Sequence, residues 1–241
     1  MKYKVMLTTK AKPVKGSGIL VIEPDDYTEN EIKVLKKCGY KVLAYLSIGS
    51  IEKERPWYSK YKDCGLKKLD DWPKEVYADV RKSVWQTFVV SRAKTLKKKG
   101  FGGWWCDNID VYSEYKSKGM FVAIQTVLKT IQDLGGYVMV NGGSEWLDDA
   151  LDKKMKIKNY IDGYTQEEIF SRITDYSGKG KFGKQKQGDS LYYQSMIKRV
   201  IKSEADGFLL EYTRDTKLKD QIKAWCKKNG ASYYISGDVN L

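Results

Sequence analysis

The run Phe101-Gly102-Gly103-Trp104-Trp105-Cys106-Asp107-Asn108-Ile109-Asp110-Val111-Tyr112 passes from apolar residues to two acids three positions apart, with an amide between them. Such a pattern predicts a buried strand that ends in a polar loop. In parallel α/β folds, the loops at the carboxyl ends of the strands carry the chemistry. Asp107 or Asp110 would then move a proton or act as a nucleophile. The competing reading is an acidic turn that caps the next helix, a common use of Asp and Asn.

Composition narrows the chemistry. The chain has 241 residues and no histidine. Every Ser-His-acid or Cys-His arrangement and every histidine-ligated metal is excluded. Proton transfer falls to Asp, Glu, Lys, Tyr or Cys. Cys38, Cys64, Cys106 and Cys226 form no C-x-x-C pair, and Cys38, Cys106 and Cys226 fall on apolar faces as small core residues. No metal or cofactor is implied. The net charge of +13 raises the suspicion of an anionic partner. Lys36-Lys37, Lys97-Lys98-Lys99 and Lys227-Lys228, however, sit in the last turns of predicted helices, where they suit the negative end of the dipole. The excess therefore reads mainly as a solvated outer face, and nucleic acid is not expected. No apolar run approaches the ~20 residues that span a bilayer. The first seven residues are too short for a signal peptide, so a cytoplasmic home remains open.

The elements that position Asp107 follow from periodicity. Thr28 precedes Glu31 by three, the spacing of a capping box, and Gly39 ends the helix that follows. Helix, lysine-rich last turn, glycine and strand recur at Gly39, Gly100 and Gly230. Residues 4–7 suggest a short strand. Counted from residue 19, eight strands are expected, at 19–22, 42–46, 76–80, 101–106, 137–140, 160–165, 207–210 and 232–235. Residues 53–75 form a long polar loop, a frequent location of function. Eight βα units in a chain of this length predict an α/β fold, a single (β/α)8 TIM-type barrel spanning residues 1–241. A doubly wound open sheet is the alternative. The absence of G-x-G-x-x-G and of a P-loop argues against nucleotides.

A barrel would gather its strand ends on one face: Glu23, Asp25, Tyr45, Ser47, Glu52, Asp79, Arg81, Asp107, Asn108, Asp110, Asn141, Gln166, Glu167, Glu211 and Tyr212. Trp57, Trp72, Trp105 and Tyr112 lie nearby in sequence. Carboxylates among aromatic rings and amides suit a sugar polymer: rings stack on pyranose faces, amides grip hydroxyls, and two carboxyls cleave the glycosidic bond.

Six segments carry a family resemblance, in order: Tyr45-Leu46-Ser47-Ile48-Gly49-Ser50-Ile51-Glu52, Arg55-Pro56, Asp71-Trp72-Pro73, Asp79-Val80-Arg81, Gly100-Phe101-Gly102-Gly103 and Asp107-Asn108-Ile109-Asp110-Val111-Tyr112. Together they resemble the motifs of glycoside hydrolase family 114, the endo-α-1,4-polygalactosaminidase-like group. The match is close over residues 19–170 and looser beyond. The resemblance implies a (β/α)8 barrel, secretion or display at the cell surface, and cleavage of α-1,4-linked galactosamine exopolysaccharide. It puts one catalytic acid at Asp107 and the other at Glu167, within Asp162-Gly163-Tyr164-Thr165-Gln166-Glu167-Glu168. Asn108 and Asp110 would orient Asp107, and Asp25, Tyr45, Arg81, Asn141 and Tyr212 would bind sugar. Which acid is nucleophile and which acid/base stays open. A monomer is expected. Deacetylated galactosamine polymers are cationic, so a basic chain must keep its strand-end face acidic to hold one. Three rival readings stand beside this: a barrel that binds glycan without turnover, a basic protein that holds an anionic polymer, and a phosphosugar isomerase.

Overall fold

The computed structural model describes residues 2–69 and 72–241. Met1, Asp70 and Asp71 lie outside the described residues, and Asp71 takes the first position of the Asp71-Trp72-Pro73 motif with it. The strands are β1 (Tyr3–Met6), β2 (Gly18–Ile22), β3 (Tyr40–Ser47), β4 (Ser50–Glu52), β5 (Gly65–Lys68), β6 (Glu75–Ala78), β7 (Gly103–Asp107), β8 (Tyr137–Asn141), β9 (Gly163–Glu167), β10 (Ser171–Asp175), β11 (Lys181–Lys184), β12 (Asp206–Tyr212) and β13 (Ser232–Ser236). The helices are α1 (Glu29–Lys37), α2 (Tyr58–Tyr61), α3 (Ser83–Lys98), α4 (Val111–Glu114), α5 (Lys118–Asp133), α6 (Ser144–Asp152), α7 (Gln187–Lys202) and α8 (Thr216–Asn229).

Eight strands form one parallel sheet in the order β1-β2-β3-β7-β8-β9-β12-β13. The first and last strands come side by side to complete a (β/α)8 barrel. They share no ladder among the described residues; the Leu7 N–H donates to the Leu241 carbonyl at 2.7 Å across the seam. Strand alternation sorts the core into two shells. On β7, Trp104 and Cys106 pack outward under the helices, while Trp105 points into the barrel. Val5, Val21, Leu43, Met139 and Leu210 fill the lumen beside it. Layers of branched and aromatic side chains make this interior a packed core and not a pore.

Local signals place the helices. The capping box of Thr28 and Glu31 starts α1, and Ser117 and Asp215 cap α5 and α8. At the far ends, Lys36 Nζ donates to the Gly100 carbonyl at 3.0 Å and Lys97 Nζ to the Gly135 carbonyl at 2.5 Å. These lysines satisfy carbonyls that a helix end leaves open.

One expected strand belongs elsewhere. Residues 75–78 pair antiparallel with β4 and β5 in a three-stranded sheet inside the β3-to-α3 crossover. β1 takes the vacant barrel place. The cause is visible in burial: β6 is half-exposed over most of its length, whereas β7 and β8 are buried along theirs. Strands covered on one face suit antiparallel sheets; barrel strands are covered on both. A second excursion, the β10–β11 hairpin, follows β9.

Glu211 was expected on the rim and lies elsewhere. It is fully buried on β12 and accepts from the N–H groups of Ile169 (3.1 Å), Phe170 (3.0 Å) and Ser171 (2.8 Å) and from the Ser171 hydroxyl (2.5 Å). It clamps the turn that launches β10. Burial pushes its carboxyl up to about 7 against those donors, so the clamp is more charged at pH 8 than at pH 6. Glu211→Gln would turn an N–H2 toward a cluster of donors. Leaving a buried donor unsatisfied costs about 1–3 kcal/mol. Thermal unfolding at pH 8 should show a loss of roughly 2–12 °C for a chain of this size.

Candidate active site

Three adjacent barrel strands end in inward-facing polar residues: Asp107 on β7, Asn141 on β8 and Glu167 on β9. Each is followed by a residue in the left-handed region: Asn108 (φ 65°), Gly142 (φ 68°) and Glu168 (φ 56°). The chain therefore bends away at once, and the last side chain of each strand stands at the barrel mouth. Asn tolerates this conformation and glycine adopts it freely. At Gly142 a Cβ would also come within 2.2 Å of Asp110 Oδ2. Glu168 is held there by its N–H to the Leu210 carbonyl (3.0 Å) and by its Oε2, which accepts the Ile173 N–H at 2.7 Å.

The Asn141 amide joins the two acids. Its Nδ2 donates to Asp107 Oδ1 at 2.9 Å and to Glu167 Oε1 at 2.8 Å. The Tyr212 hydroxyl, at the end of β12, donates to Glu167 Oε2 at 2.5 Å. Asn141 Oδ1 is buried and accepts no hydrogen bond among the described residues. Burial pushes Asp107 up to about 7; the Asn141 N–H opposes that rise and the Glu167 charge adds to it. Burial likewise raises Glu167, against the Tyr212 and Asn141 donors. The pair keeps a proton where an exposed carboxyl has lost it.

These residues lie in a cleft of about 490 Å³, into which Tyr45 and Trp105 also face. Its described lining carries Glu23, Glu52, Glu75, Asp107, Asp110, Glu167 and Glu168, against Arg55 as the one cation. Arg55 is already committed: it bonds Glu23 through two nitrogens at 2.8 and 2.9 Å, Asp25 at 3.2 Å, and Glu52. Glu75 accepts from the Ser50 hydroxyl at 2.6 Å, and burial pushes it up to about 7. Above the cleft, Trp72 from the β3-to-α3 crossover meets Tyr176 from the β10–β11 hairpin edge-on, with ring centroids 5.8 Å apart.

Of the residues expected at the site, Asp107, Glu167, Tyr45, Asn108, Asp110, Asn141 and Tyr212 line the cleft. Asp25 and Arg81 do not. Asp25 turns to Arg55 and Arg92, and Arg81 binds Asp79 at 2.6 Å beside α3, because residues 75–78 lie outside the barrel. The side chains of Asn108 and Asp110 bond elsewhere, while the Asn108 backbone N–H donates to the Asp107 carboxyl. The Asn108 amide donates to the Ser47 hydroxyl at 3.2 Å, and Asp110 Oδ1 accepts the Gly143 N–H at 2.8 Å. Both tie loops together; Asn141 orients Asp107. Sequence reasoning missed Glu75, Arg55 and Tyr176 as site residues. The alternation Glu75-Val76-Tyr77-Ala78, in which Glu75 and Tyr77 face the cleft, is the signal that would have found Glu75.

The model of glycoside-hydrolase family GH114 matches residues 1–237. The chain belongs to glycoside hydrolase family 114. The glycoside hydrolase domain of PelA from Pseudomonas aeruginosa superposes with a TM-score of 0.82 at 16% identity, over 100% of this chain and 96% of that one. Aspergillus fumigatus Ega3, solved in complex with galactosamine, superposes at 0.78 with 18% identity, over 100% and 92%. At these identities the likeness is one of fold. An uncharacterized protein of Methanocaldococcus jannaschii is 26% identical over 166 residues, which are 61% of this chain and 47% of that protein. A Thermotoga maritima protein is 23% identical over 124 residues, 48% of this chain and 38% of its own. The matched region thus spans less than half of either relative. The family and its structural neighbours are glycoside hydrolases.

The raised carboxyls have a consequence for stability. A carboxyl with a raised pKa in the folded state stabilises the fold fully below its unfolded value, and that contribution is lost as pH rises through the folded value. For Asp107 and Glu75 the window runs from about 4 to about 7. Unfolding free energy from urea titrations should therefore fall between about pH 4 and pH 7 and level off above. Glu75→Gln, which cannot ionise, should show a shallower fall. An equal or steeper fall would contradict the burial of Glu75 as a protonatable acid.

Proposed function

We propose that this chain cleaves an α-1,4-linked, galactosamine-containing exopolysaccharide by a retaining two-carboxylate mechanism. Asp107 and Glu167 divide the roles of nucleophile and acid/base. The observation that carries this reading is the single Asn141 amide shared by both acids. The two N–H bonds of an amide diverge by about 120°, so acceptors at these distances stand roughly 5 Å apart. Retaining glycosidases hold their carboxyls ~5–5.5 Å apart, whereas inverting ones leave ~6.5–9.5 Å for a water.

The steps follow from that spacing. One carboxylate attacks the anomeric carbon while the other carboxylic acid protonates the departing glycosidic oxygen. A glycosyl ester forms on the protein and the shortened polymer leaves. The second carboxylate then takes a proton from water, the water oxygen displaces the ester, and both groups return to their starting states. The acids around the cleft favour a sugar that carries an ammonium group, and the galactosamine bound in Ega3 fits that preference. We infer that the whole chain acts as one catalytic domain and as a monomer, since both acids come from one barrel. We place it outside the cell, where such polymers lie; none of its described helices is long and apolar enough to cross a membrane.

Reducing-end release from deacetylated and acetylated galactosamine and glucosamine polymers tests the substrate. Proton NMR of the first-formed product tests the outcome and should show the α anomer before mutarotation. Asp107→Asn and Glu167→Gln keep size and hydrogen bonding, and each should lower kcat by at least about 10³-fold while leaving the fold intact. On a substrate with an activated leaving group, azide should give a glycosyl azide of retained configuration with the acid/base variant and of inverted configuration with the nucleophile variant. A parent protein that binds the polymer and never cleaves it would replace this reading with the glycan-holding one.

Asn141→Ala gives a separate expectation. The amide lowers the pKa of both acids, so its loss raises them. The pH–rate profile of the variant should shift to higher pH and its kcat should fall. A loss of rate with no shift would assign Asn141 to sugar contact alone.

A further inference from the structure

No helix connects β1 to β2, although helices follow most other barrel strands. The outer side of the β1–β13 seam is left as a groove of about 650 Å³. It lies at the amino-terminal ends of the strands, opposite the acidic cleft. Lys2 and Lys4 flank buried Tyr3 on and beside β1 and point outward. Lys15 comes from the segment before β2, and Lys223 and Lys227 stand one turn apart on α8. Lys223 pairs with Asp220 at 3.1 Å. The groove lining includes no acid, and among the described residues no carboxylate pairs with Lys2, Lys4, Lys15 or Lys227.

We propose that this groove binds a linear polymer of phosphate groups by charge, independently of the hydrolytic cleft. The lysines are exposed, so each alone contributes little to holding a small anion. A chain with a charge at every repeat gains their sum and releases counterions as it binds. Ammonium groups suit phosphate as point charges, and the groove holds no arginine fork for bidentate carboxylate pairing. Tyr233 is the most exposed ring in it, a thin platform for stacking bases. Phosphate chains are therefore favoured over acidic proteins and over nucleic acid.

Fluorescence anisotropy of the full chain with labelled inorganic polyphosphate, from 50 to 300 mM salt, tests the proposal. Binding should weaken steeply with salt. The triple variant Lys4→Gln, Lys15→Gln, Lys227→Gln should lose at least tenfold in affinity, and its log–log salt slope should flatten by about two, at roughly 0.7 per lost phosphate contact. The control triple Lys33→Gln, Lys94→Gln, Lys118→Gln removes the same charge elsewhere and should change affinity less than twofold. Equal losses in the two triples would show diffuse attraction and overturn the groove. So would no binding by the parent at 50 mM salt. Single-stranded DNA or polyglutamate of matched charge bound tenfold more tightly than polyphosphate would overturn the phosphate-chain assignment in favour of that class. Cleavage of a short soluble substrate should be the same in the groove triple and the parent. A five-residue strand spans roughly 17 Å, about two Debye lengths at 0.15 M salt.

Discussion

Two carboxyls are buried at one point of this barrel with a single amide between them, and much of the surrounding structure makes that placement tolerable. Each buried acid costs free energy unless its oxygens are hydrogen-bonded. Asn141 serves one oxygen of each, and the Tyr212 hydroxyl serves the far side of Glu167. The donors arrive because four barrel strands, β7, β8, β9 and β12, end at a common level with inward side chains. Below them, Trp105 donates to the Thr165 hydroxyl at 3.3 Å, and the Tyr3 hydroxyl lies 3.3 Å from the same oxygen. These polar contacts within an apolar lumen fix the layer beneath the acids. Positioning at this precision is what general acid–base chemistry requires.

Net charge describes this molecule poorly, because a basic chain carries an acidic cleft. Lys36 and Lys97 close helix ends at the face away from the cleft, and none of Lys36, Lys97, Lys98 or Lys227 lines it. Among the described residues, seven acids line the cleft at the other end. The barrel topology produces this division. Helices run back from the strand tips, so their carboxyl ends, which favour lysine, all fall on the amino-terminal face of the sheet. A chain of +13 can thus carry an acidic mouth. Screening over ~8 Å at physiological salt lets the near charges dominate the approach.

The barrel was legible in the sequence because its signals are local: glycine after each lysine-rich helix end, and apolar runs that stop in polar residues. The strand ends at Asp107, Asn141 and Glu167 were legible for the same reason. What escaped depends on pairing between distant segments. Residues 76–80 read as a barrel strand because a short apolar–polar alternation carries no information about its partners. That misplacement also carried Arg81 into an expected site it does not reach. Glu211 looked like a rim acid by position, but β12 has one parity for the lumen and another for the helix layer, and Glu211 has the outer parity beside Tyr212. Asp110 sits three residues after Asp107, and only the fold shows that its carboxylate is taken by the Gly143 N–H.

The two excursions that sequence periodicity did not resolve also decide how a polymer meets the acids. A bare barrel mouth is a shallow dish. Here the β4–β6–β5 sheet raises one wall and supplies Glu52 and Glu75, and the β10–β11 hairpin raises the other. Trp72 and Tyr176 touch across the gap. That contact is edge-on between rings that are 50% and 40% exposed, so it is worth at most about 1 kcal/mol. Sugar faces offer each ring a larger apolar surface than the other ring does. On the proposed function, a sugar polymer would stack on these two rings, which are carried outside the barrel sheet. The rigid part of the site is the shared amide and its two acids; the adaptable part is carried on segments outside the barrel sheet.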